Sequence, residues 1–372
     1  MPVINSDIIK IIDDFAPQTL AEEWDNSGWQ LGDPRAKVDK VLLTLDVNAQ
    51  LLEEAVQEGV QLIISHHPLF FKGFKNIRLD RPEGRLIAGL IKNDIAVYAA
   101  HTNLDSAAEG VNHVLAEKLG ITEVKTLNPG VPEKLYKLVV FVPVSHIDQV
   151  RDAAAGAGAG WIGNYSDCTF QVQGTGTFRP LAGTNPFIGR QGELEKVEEI
   201  RLETVVPERL KNNVLTAILK AHPYEEVAYD LYTLANPVSA PGLGRIGKLN
   251  TGTSLGELAG RVKSVLNINT VRVGGSTEQP VHKVAVCGGA GASLWKQALS
   301  KGADVYITGD IKYHEAQDML AAGLNFIDAG HFSTEYIILP ALYEHLIKVC
   351  SEKGFNLEII LSKNQKDVFV YL

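Results

Sequence analysis

Three short segments carry side chains that bind metals. His66 and His67 stand together in SHHP, His101 and Asp105 fall in HTNLD, and His331 and Glu335 fall in GHFSTE. Adjacent histidines on an extended backbone point to opposite sides, so they can serve two metals, or one metal and one substrate group. An isolated pair reads first as one buried and one solvent-facing histidine. Asp105 precedes a helical run and reads alone as a helix N-cap. His101 reads alone as a packing residue or a support for a ligand. His331 and Glu335, four residues apart, share one helix face; alone they read as a surface pair in a first turn, where the dipole favours Glu.

The conjunction outweighs the separate readings. Each segment follows an apolar strand-like run, and open α/β sheets bind ligands at the carboxyl ends of their strands. All three are expected at one edge of one sheet. His66, His67, Asp105, His331 and Glu335 supply three imidazoles and two carboxylates. That set suits two divalent ions, zinc, iron or manganese, and lacks the thiolates of a closed structural zinc site. A water held by such a pair becomes acidic. Further strand ends add Asp46 in TLD, and Thr308 and Asp310 in ITGD, with Lys312 and His314 following. These read as groups supporting the metals or the substrate; Asp46 and Asp310 read equally as turn or cap residues. The CGGAGAS turn (287–293) could let backbone N–H groups approach an anion. It is not GxGxxG, and a tight turn is its default reading.

The elements that must position these residues alternate. Strand runs at 40–47, 60–65 and 95–101 are interleaved with helical patterns at 7–17, 48–59, 85–94 and 109–120. After residue 282 the grammar repeats, with strands at 283–289, 303–310, 324–330 and 356–362 and helices at 292–302, 314–323 and 333–354. This predicts crossover units and a mostly parallel sheet with flanking helices. Between them the pattern becomes β-α-β-β-α-β, the order of a ferredoxin-like α+β domain. Pro/Gly-rich stretches at 128–132 and 236–247 flank it. The expected organisation is a discontinuous α/β domain, residues 1–128 and 237–372, interrupted by a domain at 129–236.

Composition bounds the function. With 372 residues, 45% apolar and 21% charged, the chain can build a sizeable core. No apolar run approaches the roughly 20 residues of a membrane span. The N-terminus carries acids among its first apolar residues, unlike a secretory signal. A net charge of −9 argues against nucleic acid as a partner. Three scattered cysteines, Cys168, Cys287 and Cys350, form no CxxC motif and fit a reducing, cytoplasmic location.

SHHPLFFK, HTNLD, GRIG, VAVCGGAG, YITGDIKYHE and IDAGHFSTE, with WDNSGWQLG near the start, together resemble the NIF-three-like family, also labelled GTP cyclohydrolase I type 2. The resemblance implies an α/β fold with a dinuclear metal centre in a cytoplasmic oligomer, often a hexameric ring. It implies His66, His67, Asp105, His331 and Glu335 as ligands, with Glu335 bridging. The insert, through AHPYEEVAYD (221–230), resembles a CutA/PII-like domain, which implies trimer-based assembly. His222 and Glu225 in that stretch suggest a second ligand site, and packing is the favoured reading.

Two functions follow. The first is a metal-dependent hydrolase acting on a nucleotide, as the GTP cyclohydrolase label implies, or on a phosphoester. Lys72 or Lys312, with the CGGAG backbone, would hold phosphates, and His101 or His314 would shuttle protons. The second is a non-catalytic metal-binding scaffold or regulator whose PII-like domain senses a ligand or governs assembly.

Overall fold

The computed structural model describes residues 2–73, 75–130, 133–163, 165–236 and 241–370. The chain divides into two compact units, Met1–Gly130 with Pro241–Leu372, and Val131–Ala240. Residues 131, 132 and 237–240, which fall within the expected boundary stretches, lie outside the described residues.

The larger unit holds two sheets where one was expected. The first runs in the order Gly28–Leu31, Ala96–Ala99, Leu62–Ser65, Lys40–Thr44, Glu358–Leu361. Its last four strands are mutually parallel, and Gly28–Leu31 is antiparallel to its neighbour. The second runs Arg272–Gly274, Asn325–Asp328, Val305–Thr308, Pro280–Val286, Gly242–Ser254, Ile121–Pro129. Of its five pairings only the second and third in that order are parallel. The sheets are therefore mixed. The strands missed by periodicity are the antiparallel ones, where polar residues or glycines interrupt the apolar run. The parallel strands read clearly because both their faces are buried.

The side-chain period of two explains the layers. Val41, Leu43, Leu62 and Ile64 of the first sheet share one continuous core with Val284, Val286, Val305 and Ile307 of the second, together with Leu115, Ile338 and Leu342 from helices. The alternate residues Leu42, Ile63 and Val97 face a separate core with Leu51 and Leu90. Ala285, Tyr306 and Phe326 face another with Ala298 and Met319. Local signals set the helix ends. Asn48 accepts the Leu51 N–H and caps Ala49–Glu58, which stops at Gly59 with φ 68°.

Arg245, in GRIG, is buried. Its guanidinium donates to the Gly242, Gly244, Ala107 and Ala108 carbonyls at 2.7, 2.9, 2.5 and 3.3 Å. It thereby ties the Gly242–Ser254 strand to the turn that follows Asp105.

The smaller unit is a four-stranded antiparallel sheet in the order Thr169–Phe178, Glu195–Pro207, Leu135–Pro143, Tyr229–Leu234. Helices Ile147–Gly156 and Lys211–Ala221 cover one of its faces.

Two outcomes are expected. Arg245→Met leaves four carbonyls without their donor and should cost about 3 kcal/mol. Its thermal midpoint should fall by several degrees, while the exposed Arg35→Met leaves the midpoint unchanged. Within the larger unit Pro129 pairs with Gly242, so a short Gly/Ser link from Gly130 to Pro241 should span the removed Val131–Ala240 unit. That protein should remain soluble and unfold in one cooperative transition, as sedimentation and calorimetry would report.

Candidate metal centre

The site forms where strand ends from both sheets meet. His66 and His67 follow Leu62–Ser65, and His101 and Asp105 follow Ala96–Ala99. From the second sheet, His331 and Glu335 follow Asn325–Asp328 on the short helix His331–Tyr336. The expectation of a single sheet edge is thus corrected, because an apolar run marks where a strand ends and not which sheet it joins.

Each imidazole is held by its Nδ1. His66 Nδ1 lies 2.8 Å from the Ala100 carbonyl oxygen, to which it can only donate. His67 Nδ1 lies 2.8 Å from Asp46 Oδ1, and His331 Nδ1 lies 2.8 Å from Asp310 Oδ2. His101 Nδ1 lies 2.8 Å from Asp25 Oδ1. Fixing Nδ1 in this way leaves Nε2 as the nitrogen available to a ligand.

Glu335 is buried among them. His66 Nε2 lies 3.7 Å from its Oε1, whereas His67 and His331 Nε2 lie 3.0 and 3.2 Å from its Oε2. Asp105 Oδ1 lies 3.7 Å from His66 Nε2. Both of these atoms are buried and lack a hydrogen-bond partner. Among the described residues, three groups could each hold an ion: His66, Asp105, Glu335; His67, His331, Glu335; and His66, His67, His101, with donor atoms within 4.8 Å of one another. Unsatisfied buried donor atoms of this chemistry fit a divalent cation.

Crowding shifts the titrations. Burial opposes charge on His67, but Asp46 and Glu335 outweigh it and push the imidazole up to about 10. Glu335 raises His331 to about 9 against its partial burial, with help from Asp310. Burial lifts Asp105 to about 6, despite His66. Burial alone would raise Glu335, yet His66, His331 and His67 hold it well below the usual carboxylate range.

The glycine turn does not cradle an anion. The Gly288, Gly289 and Gly291 N–H groups donate to Asn112 Oδ1, Thr334 Oγ1 and Thr308 Oγ1 at 2.9, 2.9 and 3.1 Å. Its glycines serve close approach instead. Gly289 has φ +62°, and a Cβ there would lie 2.0 Å from Glu335 Oε1. Asp310 also takes a positive φ, 55°, which Asp tolerates better than most residues.

The remaining candidates fall in different settings. His314, on the helix Tyr313–Ala321, is exposed, with Nδ1 3.2 Å from Gln317 Oε1, and lines neither cavity that reaches the cluster. Lys72 and Lys312 are exposed and line neither cavity that reaches the cluster. Proximity in sequence to a ligand motif did not fix where these side chains go. Asp105 lies inside the helix Thr102–Ser106 and is not an N-cap. His222 packs, with Nε2 3.0 Å from the Phe141 carbonyl oxygen.

Other residues emerge only from the structure. Asp25 has a fully buried side chain and, besides His101, accepts from the Ser27 and Thr102 hydroxyls at 2.6 Å each. Asn112 donates to the Asp105 carbonyl at 3.0 Å while accepting from Gly288. Trp24 and Phe71 are 67% and 59% exposed. They stand edge-on to the His101 ring, at 6.1 and 5.8 Å, in a cavity of about 600 Å³ shared with the cluster. A second cavity, of about 700 Å³, joins His67 and His331 to Arg272 and Lys366. The WDN triplet was the one sequence signal for Asp25; nothing local pointed to Arg272.

Comparison with known proteins identifies the family. The Duf34/NIF3 (NGG1p interacting factor 3) family matches residues 3–368. A protein named GTP cyclohydrolase 1 type 2 homolog from Halalkalibacterium halodurans is 47% identical over 365 residues, 98% of each chain. Its Bacillus subtilis namesake is 45% identical, again over 98% of each chain. The crystal structure of a Bacillus cereus protein related to NIF3 superposes with a TM-score of 0.93 at 44% identity, covering 100% of both chains. By family match, sequence identity and fold together, the chain belongs to the DUF34/NIF3 family.

Proposed function

We propose that the cluster is a dinuclear divalent-metal centre serving hydrolysis of a nucleotide. His66, Asp105 and Glu335 would hold one ion, and His67, His331 and Glu335 the other, with zinc, iron and manganese all suited to the donors. The observation that carries this reading is the Glu335 carboxylate, whose two oxygens face different histidines, as a bridging ligand requires. Bound there, a pair of divalent ions makes water acidic and stabilises negative charge on the reacting group.

The chain's own residues complete the site. His101, held by Asp25 through Nδ1, keeps Nε2 to accept and return a proton. Trp24 and Phe71 offer apolar ring surface to a flat base. Lys366, rather than Lys72 and Lys312, offers positive charge to phosphates, with Arg272 beside it already paired to Asp328. The names of the relatives support a guanine nucleotide, and the same centre would serve phosphoester cleavage.

The proposal extends to assembly and setting. The smaller unit reads as a ferredoxin-like, CutA/PII-like domain on its β-α-β-β-α-β order. Phe170, Val172 and Tyr232 on its sheet are 65%, 45% and 52% exposed, which supports trimer-based self-association, up to a hexamer, through this unit. The cysteines are free thiols, and no helix among the described residues is long and apolar enough to cross a membrane. Both accord with a cytoplasmic protein.

The test pairs metal analysis with turnover. Wild-type protein should carry about two divalent ions per chain, and Glu335→Ala should lose most of both; His113→Ala should lose neither. Metal-loaded protein incubated with a nucleotide panel should release a product identified by mass spectrometry, and Glu335→Ala should not. Full metal content with no turnover above the Glu335→Ala background would instead establish a non-catalytic metal scaffold or regulator.

The pH dependence has a definite sign. With pKa values of about 10 and 9, His67 and His331 carry protons at neutral pH in the metal-free chain. An incoming ion must displace both, so affinity rises with pH and levels off only above that range. Zinc affinity should climb about a hundredfold per pH unit around neutrality. Calorimetry in buffers of different ionisation enthalpy should count the released protons; a pH-independent affinity would contradict the assignment.

A further inference from the structure

The smaller unit has a concavity of its own. Its helices cover the sheet face formed by Leu138, Val140, Val142, Leu202 and Val206. The alternate residues face the other way. There Glu199 pairs with Gly174, two residues from Gly176 on the same strand, and the missing side chains leave a trough beside the carboxyl group. The loop after Phe178 carries Phe187 over the trough, and the turn after His222 brings in Tyr224. Glu199, Gly176, Phe178, Phe187 and Tyr224 line a cavity of about 400 Å³, a size that suits a small organic ligand.

Its polar chemistry is lopsided. Glu199 is only 9% exposed, and its Oε1 accepts the Tyr224 hydroxyl at 3.0 Å. Its Oε2 lies over Gly176, where an added Cβ would come within 2.0 Å of it. Among the described residues, no Lys, Arg or His forms an ion pair with Glu199. Arg179, the one basic residue in the lining, donates instead to the Gly192 carbonyl. Glu225 accepts the Asn185 N–H at 3.1 and 3.2 Å, which pins the loop, and Glu226 adds another acid to the lining. The apolar walls are aromatic, with the Phe178 and Phe187 rings 5.9 and 6.3 Å from that of Tyr224.

We propose that this cavity is a binding site for a small organic cation with an apolar body, and that Glu199 supplies its counter-charge. A buried acid without a cation is costly, and an ammonium group against it removes that cost. Aromatic faces attract the same positive charge and bury the apolar body. A neutral ligand of equal shape would satisfy the walls and leave the acid unpaired, so charge is what the site selects.

Tyramine and its neutral isostere tyrosol, in which a hydroxyl replaces the ammonium, test this on the full chain by titration calorimetry. Tyramine should bind saturably, one per chain, and at least about tenfold more tightly than tyrosol, a difference of about 1.4 kcal/mol. Glu199→Gln should abolish that preference. Phe187→Ala, at a residue 51% exposed and outside the core, should weaken both ligands, so the test survives if the Glu199 variant folds poorly. Glu335→Ala should leave tyramine binding unchanged, locating it away from the metal centre. Equal affinity for the two ligands, no saturable binding at millimolar tyramine, or binding indifferent to both Glu199→Gln and Phe187→Ala would overturn the proposal.

Discussion

The tether on each Nδ1 governs this molecule. An untethered imidazole turns about two side-chain bonds and offers either nitrogen. In this chain a backbone carbonyl and three carboxylates hold four rings with Nδ1 outward. Much of the surrounding structure follows from keeping those tethers in place. Asp46 and Asp310 must sit at strand ends, and Asp310 adopts an unusual backbone conformation there. Asp25 must be drawn beneath His101 and satisfied by two hydroxyls. The glycine turn must stay small enough for Glu335 to lie against it.

The clustered histidines and carboxylates were legible in the sequence because each follows an apolar run ending at a polar motif. What supports them was not. Asp25 meets His101 across 76 residues, Asn112 meets Gly288 across 176, and Arg245 meets Ala107 across 138. Such pairings depend on which strands become neighbours, which hydrophobic periodicity does not encode. The division into two sheets was hidden for the same reason. Parallel strands read alike in either sheet, and the antiparallel strand Gly242–Ser254 that extends the second one carries glycines and charges.

The supporting groups differ in how they meet the cluster. Asp310, at a turn, reaches His331, while Lys312 and His314, at the start of the helix that follows, are exposed and outside the lining of the cavities that reach the cluster. The CGGAG turn reads by default as a tight turn, with anion binding an alternative because glycine exposes backbone N–H groups. Three of those groups are committed to side chains, and glycine's other property, its small volume, is the one the site uses. The middle unit was easier to read, since an antiparallel sheet with one covered face alternates visibly along each strand.

The pairing of Pro129 with Gly242 has a counterpart in the smaller unit, where Leu135 pairs with Leu234. Each unit therefore holds its two crossing points side by side. During synthesis the smaller unit is complete before the strand Gly242–Ser254 emerges. Once folded, it reduces a search across more than a hundred residues to the closure of two short connections, lowering the chain entropy lost when that strand finds Ile121–Pro129. An insertion that lengthens the chain can in this way hasten the folding of the domain it interrupts.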